Sequence, residues 1–506
     1  MPDDRFKGFL GFWRQWLFWR REYPLFVNDG QEAVLRERTP NPEELALGWA
    51  EGEDDETGKP LIQLKGVPQD YRRTHFYVVG ASGSGKSKFL ETLAKQDMAN
   101  GDGFGVIDAH GDLTEDLKGY LYLLKKDEEN FLSERVVLLD PTDPLRTACF
   151  NPLERIEGIS PAGIASEIVE VFKKIWKDSW GARMEDLLKN ALIALIENDL
   201  TLAELPLFLT DAELRHKVMK KVKHPICRQY FVRFDTLAPH TRNEWIESTL
   251  NKVNAFLSDD NIRQMFVSPK STFNLREVMD SKKILLVKLD KGHLAGNADL
   301  LGSLLLARIQ MAAFGRTDTF RSKRVPFYLY IDEFQDFATD SFLQILAQSR
   351  KYKLPLILAH QNLAQLTPNL RASILTNCWL QAYFRVSRDD ASVLAKESMA
   401  SIFNNPPGWE WYIQQLQELQ PTWCVVKNRV EGGVIKIKTL DLPPPHEEAE
   451  MSEEDFAEEV AAANIGGSYL RLRESVDEEY EVRKEELFKL DEPESFRQRS
   501  GDNENA

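Results

Sequence analysis

Short, nearly continuous apolar runs recur along the chain at residues 76–80, 104–108, 135–140, 284–290, 327–333, 354–360, 378–386 and 422–428. Runs of this length without polar alternation predict strands buried on both faces, and the helical segments between them predict a mostly parallel sheet covered by helices, an α/β fold. Between Leu153 and about Ser281 the period changes to that of helices alone. Residues 181–198, for example, place Leu187, Leu188, Ala191, Leu192, Leu195 and Ile196 on one face. An all-helical insertion between two strands of the sheet is expected there. At the amino end Phe6, Phe9, Leu10, Trp13, Trp16 and Leu17 repeat at three-and-four spacing among Arg5, Lys7, Arg14, Arg20 and Arg21. Residues 5–21 therefore predict an amphipathic helix suited to an anionic membrane surface, or to packing on protein.

The first strand ends in chemistry. Phe76-Tyr77-Val78-Val79 runs into Gly80-Ala81-Ser82-Gly83-Ser84-Gly85-Lys86-Ser87, a complete G-x-x-x-x-G-K-[ST] phosphate loop, and a helix-forming stretch follows. Its glycines let backbone N–H groups face phosphate oxygens, Lys86 reaches the β- and γ-phosphates, and Ser87 is a ligand for Mg²⁺. The run 325–331 ends in Asp332-Glu333. Acids at a strand's carboxyl end face the phosphates, so Asp332 is expected to hold the Mg²⁺ shell and Glu333 to polarise the attacking water. The run 354–359 ends in His360-Gln361, where Gln361 is placed to bond the γ-phosphate as a sensor or, alternatively, to cap the next helix. These features predict an ATPase using ATP and Mg²⁺.

Charge and cysteine usage narrow the setting. Of the formal net charge of −16, residues 441–506 carry −14, with 21 Asp/Glu against 7 Lys/Arg. The body is nearly neutral, so overall acidity does not argue against a polyanionic partner. The tail follows Pro443-Pro444-Pro445 and is read as largely disordered, either recruiting a partner or only solubilising. Residues 215–233 hold Arg215, Lys217, Lys220, Lys221, Lys223, Arg228 and Arg233 without an acid, beside Tyr230, Phe231 and Phe234. Cations release counterions from phosphates and aromatic faces stack on bases, so Lys217, Lys220, Lys221, Lys223, Arg228 and Arg233 are candidate DNA contacts; a solvated helix face has the same composition. Cys149, Cys227, Cys378 and Cys424 are scattered, which disfavours a disulfide or metal framework and suits a cytoplasmic setting. No apolar run of about 18 residues predicts a membrane span.

The phosphate loop, Gly105-Val106-Ile107-Asp108-Ala109-His110-Gly111-Asp112-Leu113, Phe150-Asn151-Pro152-Leu153, Trp180-Gly181-Ala182-Arg183-Met184-Glu185-Asp186, Asp332-Glu333-Phe334-Gln335 and Ala359-His360-Gln361 together resemble the coupling-protein ATPases of type IV secretion and conjugation. The resemblance extends over roughly residues 60–440 and more distantly to HerA- and FtsK-type DNA translocases. It implies a RecA-like motor, assembled as a homohexamer, that recruits relaxase-bound DNA and passes it to a secretion channel with that channel's ATPases and membrane subunits. It also implies an arginine reaching a neighbour's γ-phosphate; Asn369-Leu370-Arg371-Ala372-Ser373-Ile374 resembles the stretch that carries it, making Arg371 the first candidate before Arg385 and Arg388. Members of the family typically open with two transmembrane helices, whereas here the amphipathic segment stands in that place. The expected organisation is a surface helix at 1–24, the RecA-like domain in two parts at 25–154 and 282–440, the helical insertion at 155–281 and the acidic tail at 441–506. A HerA-like motor serving a nuclease, repair or defence partner, and a secretion ATPase that handles protein, are the competing functions.

Overall fold

The structure, a computed structural model, describes residues 34–36, 44–53, 60–128, 130–339, 341–399 and 409–488. The amphipathic segment 5–21 lies outside them. Fourteen strands are present among these residues: β1 (Val34–Arg36), β2 (Glu44–Glu53), β3 (Pro60–Pro68), β4 (Phe76–Val79), β5 (Gly103–Asp108), β6 (Val136–Leu139), β7 (Arg146–Ala148), β8 (Ile284–Lys288), β9 (Phe327–Ile331), β10 (Leu356–His360), β11 (Leu380–Tyr383), β12 (Trp423–Asn428), β13 (Gly433–Thr439) and β14 (Leu470–Leu472). Twelve of them form one sheet in the order β1-β3-β2-β13-β12-β11-β4-β10-β9-β5-β8-β6.

All eight expected strands are found, and seven of them run parallel from β11 to β6. Every residue of β4, β5, β6, β9, β10 and β11 is buried, which is why their sequences lack alternation. The phosphate-loop strand β4 sits between β10 and β11, with Phe76 level with both Ile357 and Leu380. The eighth strand, β12, turns antiparallel and leads through β13 to the β2–β3 hairpin. Of these, β3 and β13 alternate polar and apolar positions because one face is less covered.

The chain divides into two units. Among the described residues, one unit is drawn from the ranges 1–142, 156–179 and 272–470, the other from 143–155, 180–271 and 471–506. The insertion is thus shorter than the expected 155–281. The helix Pro161–Ile175 belongs to the sheet unit because Ile164, Ala165, Ile168, Val169, Val171 and Phe172 form an apolar stripe buried there, against the helix Gly296–Phe314. Gly296–Asp318 is long and apolar enough to cross a membrane, but 83% of its most apolar window is buried within the protein, so it serves as a core helix.

The acidic tail also departs from expectation. Pro445 packs on Gly119 of the helix Asp112–Lys125, Phe456 meets the Tyr122 ring, and Glu448 forms a buried 2.6 Å ion pair with Lys95. In the helical unit, Arg473 donates to Asp143 O and Gln264 Oε1, both at 2.7 Å, and Val476 and Tyr480 of the helix Arg473–Phe488 are buried. Phe456, Val460, Ile465, Val476 and Tyr480 supply enough apolar surface for docking, which the density of acids around them conceals in the sequence.

A buried charge fixes the helix that leaves the phosphate loop. Arg72 Nη1 donates to Asp97 Oδ2 at 3.0 Å, Tyr330 Oη donates to the same oxygen at 2.6 Å, and the guanidinium lies 3.5 Å from the Tyr328 ring centroid. This ties the helix Lys86–Asn100 to β9. Removing one partner strands the other charge without water, so Asp97→Ala is expected to lower stability by about 3–5 kcal/mol, read as a fall in the denaturant midpoint.

Candidate nucleotide site

Three strand ends build the site. Gly80 N donates to His360 O at 3.3 Å and Ala81 N to Arg385 O at 2.7 Å, which seats the loop between the ends of β10 and β11. The loop then closes through left-handed glycines, Gly83 at φ +69° and Gly85 at φ +105°. At Gly85 a Cβ would also stand 3.1 Å from the Thr422 backbone, so two constraints select glycine there. Ser84 is buried, and its hydroxyl has no hydrogen-bond partner. Lys86 and Ser87 begin the helix; Lys86 is buried with Nζ 3.3 Å from Ala81 O, while Ser87 is exposed.

Opposite the loop, β9 ends in Asp332 and Glu333, both buried. Burial, then the charges of Glu333 and Asp108, push the Asp332 carboxyl up to about 6, and Lys86 opposes them. Burial likewise lowers the Lys86 pKa against the pull of Glu333 and Asp332, so these three groups share one electrostatic site. A crowded, desolvated acid pair supplies the carboxylate oxygens that suit a hard divalent cation such as Mg²⁺. Glu333 adopts φ +48°, ψ +46°, a conformation that costs a non-glycine residue about 1–2 kcal/mol and that turns the chain sharply at the strand's end.

Both oxygens of Glu333 are held. Gln361 Nε2 donates to Oε1 at 2.8 Å and Gln335 Nε2 to Oε2 at 2.9 Å. Gln361 is thus brought to the acid, whereas Gln335, part of the motif quoted above, had been given no role from the sequence. His360 is buried with Nε2 2.6 Å from Tyr77 Oη, and burial drives its pKa down to about 3, so it is neutral and structural. Asp108 accepts from the backbone N–H groups of His110 and Thr114 at 3.0 and 2.8 Å and so shapes the turn after β5.

Arg371 lies on the helix Pro368–Asn377, half-buried, where its charge acts on Asp390 and Tyr77 of the same chain. Of the alternatives, Arg388 pairs with Glu410 at 3.0 Å.

The cationic stretch belongs to the helical unit. Lys220, Lys221, Lys223, Arg228 and Arg233 are exposed, whereas Lys217 donates to Leu487 O at 3.3 Å. The expectation of stacking aromatics is overturned: Tyr230, Phe231 and Phe234 are buried, and Phe231 packs edge-on against Phe208 with centroids 5.0 Å apart. With Cys227 they form the inward stripe of the helix Pro225–Asp235. Arg215 is buried too, in a 2.7 Å ion pair with Asp235.

This site is that of a P-loop ATPase, and the family is decided by residues 62–396, which match the type IV secretion-system coupling protein DNA-binding domain. The chain belongs to that coupling-protein family. Its fold is shared with solved structures at low sequence identity. The bacterial conjugative coupling protein TrwBdeltaN70, in an unbound monoclinic form, is 16% identical with TM-score 0.51 over 75% of this chain and 87% of that one. TrwB in complex with the ATP analogue ADPNP is 18% identical with TM-score 0.52 over the same shares. VirB4 of Thermoanaerobacter pseudethanolicus is 15% identical with TM-score 0.50 over 83% of this chain and 99% of that one. No curated protein matches the sequence. The coupling-protein fold accounts for the parallel core and the phosphate loop at its centre.

Proposed function

We propose that the chain is an ATP-hydrolysing DNA translocase, a coupling protein that brings relaxase-bound DNA to a type IV secretion or conjugation channel. The observation that carries this reading is the convergence of Lys86, which follows β4, with Asp332 and Glu333, which follow β9 on the other side of β10, within a chain of the coupling-protein family. Residues 80–87 hold the phosphates of ATP, Lys86 contacts the β- and γ-phosphates, and Ser87 and Asp332 hold Mg²⁺. Mg²⁺, when bound, neutralises charge on the phosphate oxygens. Glu333 accepts the proton of the attacking water, and Gln361, which bonds both Glu333 and the γ-phosphate side of the site in turn, reports the nucleotide state. Arg371 acts on the nucleotide of a neighbouring subunit in a homohexamer. The chain works in the cytoplasm, with residues 5–21 touching the membrane face or a membrane subunit of the channel. Segments of residues 441–506 that remain accessible receive relaxase or accessory proteins.

DNA meets the exposed cations Lys220, Lys221, Lys223, Arg228 and Arg233, with Lys217 at their margin. ATPase activity is expected to rise on adding DNA, and failure of any DNA to stimulate it would favour the protein-handling alternative. Replacing Lys220, Lys221 and Lys223 with Glu is expected to weaken DNA binding about tenfold or more at moderate salt. The slope of log affinity against log salt should fall by roughly 2–3, because about three fewer counterions are released. An unchanged slope would place the DNA elsewhere.

A further inference from the structure

The left-handed backbone at Glu333 needs an anchor. A non-glycine residue persists in that region only where its surroundings over-determine the chain, and Gln361 and Gln335 bond its carboxylate rather than its main chain. The main chain is held within the turn instead: Glu333 N donates to Asp332 Oδ1 at 3.1 Å, and Glu333 O accepts from Asp336 N at 3.0 Å. The turn thus closes on Asp336. That residue is gripped in turn from two other elements. Lys174, near the end of the helix Pro161–Ile175, donates from Nζ to the Asp336 backbone oxygen and lies 3.5 Å from Ser303 Oγ. Lys291 Nζ meets Asp336 Oδ2 at 2.5 Å and Asp299 Oδ1 at 2.6 Å. The next residue, Phe337, sits so close to the helix Gly296–Phe314 that a Cβ at Gly302 would stand 2.5 Å from its ring.

Lys174 is an expensive residue to keep there. Burial pushes its pKa down to about 7, against the pull of Asp299 and Asp336. Its hydrogen bonds go to a backbone carbonyl and a hydroxyl, so what it fixes is the path of the chain at Asp336. An amine donates to a carbonyl whether charged or neutral, so that grip does not depend on its protonation. We propose that Lys174 is a positioning residue for hydrolysis: together with Lys291 it fixes Asp336 and so holds Glu333 in the left-handed turn that sets the direction of its carboxylate. This rests on the reading of Glu333 as the base. Asp336 links the two ends of the device, bonding Glu333 through its N–H and Lys174 through its carbonyl.

The test is a mutant cycle between Lys174→Met and Glu333→Gln in the full chain, read as single-turnover ATP hydrolysis and as affinity for a fluorescent ATP analogue. Methionine keeps an unbranched side chain and removes the donor. Alone it is expected to slow hydrolysis by about 10- to 10²-fold, as a small displacement of a reacting group does, with analogue affinity within about twofold. In the Glu333→Gln background it is expected to change the residual rate by less than about twofold, because a residue that acts through the base has nothing left to position. A lysine that merely supports the fold would slow both backgrounds alike or weaken nucleotide binding. Either result, or wild-type hydrolysis in Lys174→Met, would overturn the assignment. Should the methionine variant not fold, Asp336→Asn takes its place in the cycle, since it cuts the ion pair to Lys291 and keeps the carbonyl that Lys174 bonds. The same pattern is expected with a loss of about three- to tenfold, and equal losses in the two backgrounds would again count against the clamp. Normal hydrolysis by Glu333→Gln alone would show a different failure, that of the base itself.

Discussion

Glu333→Gln is expected to retain Mg²⁺ and ATP while hydrolysis falls by about 10³-fold, leaving the protein locked with ATP bound. The groups proposed to bind nucleotide and Mg²⁺, Lys86, Ser87 and Asp332, are untouched by the change. What is lost is the acceptor, since an amide oxygen is far too weak a base to draw a proton from water. The surroundings add to the effect. Glu333 accepts from two side-chain amides, Gln361 at 2.8 Å and Gln335 at 2.9 Å. A third amide has only one oxygen to offer them, so one of the two must face an N–H group and turn away. The variant thus loses the base and disturbs its neighbours together. Single-turnover hydrolysis and filter binding of ATP separate the two effects; hydrolysis at the normal rate would show that another group draws the proton.

How far the sequence discloses this arrangement depends on whether the information is local. The phosphate loop is legible because one short segment carries its strand, its glycines, its lysine and its helix. The parallel strands are legible because burial on both faces removes polar residues from β4, β5 and β9. The β2–β3 hairpin and β13 escaped notice because alternating segments with charged residues, such as Lys436 and Lys438 within β13, resemble surface loops unless the alternation itself is scored. Tyr230, Phe231 and Phe234 differ from expectation in the opposite sense. With Cys227 they repeat at intervals of three and four, which marks the buried stripe of a helix, and the intervening cations Arg228 and Arg233 form its exposed face. The tail's net charge says nothing of the few apolar residues that dock. Gln335 was invisible for a different reason. Its amide reaches Glu333 only through a left-handed turn, which leaves no mark in the order of residues.

The second large effect is expected at the loop. Lys86→Ala is expected to weaken ATP binding by about 10²-fold, since a charged hydrogen bond contributes roughly 1.5–3 kcal/mol and no other loop residue carries positive charge. The loss also reaches the acids. Lys86 is the charge that, with the Glu333 backbone N–H, opposes the upward shift of Asp332, so without it the carboxyl is harder to ionise. Arg371→Ala should instead bind ATP normally and hydrolyse it poorly, if the arginine serves the neighbour's site. Each variant alone spoils every site in a ring, but in different halves. In a mixed ring an Arg371→Ala subunit retains an intact phosphate loop and meets Arg371 from a Lys86→Ala neighbour, so one class of interface is whole. Hydrolysis by the mixture is therefore expected to exceed that of either variant alone, with a maximum near equal proportions. Activity no greater than the weighted mean of the two would place Arg371 in its own subunit's structure, where its charge already acts on Asp390 and Tyr77.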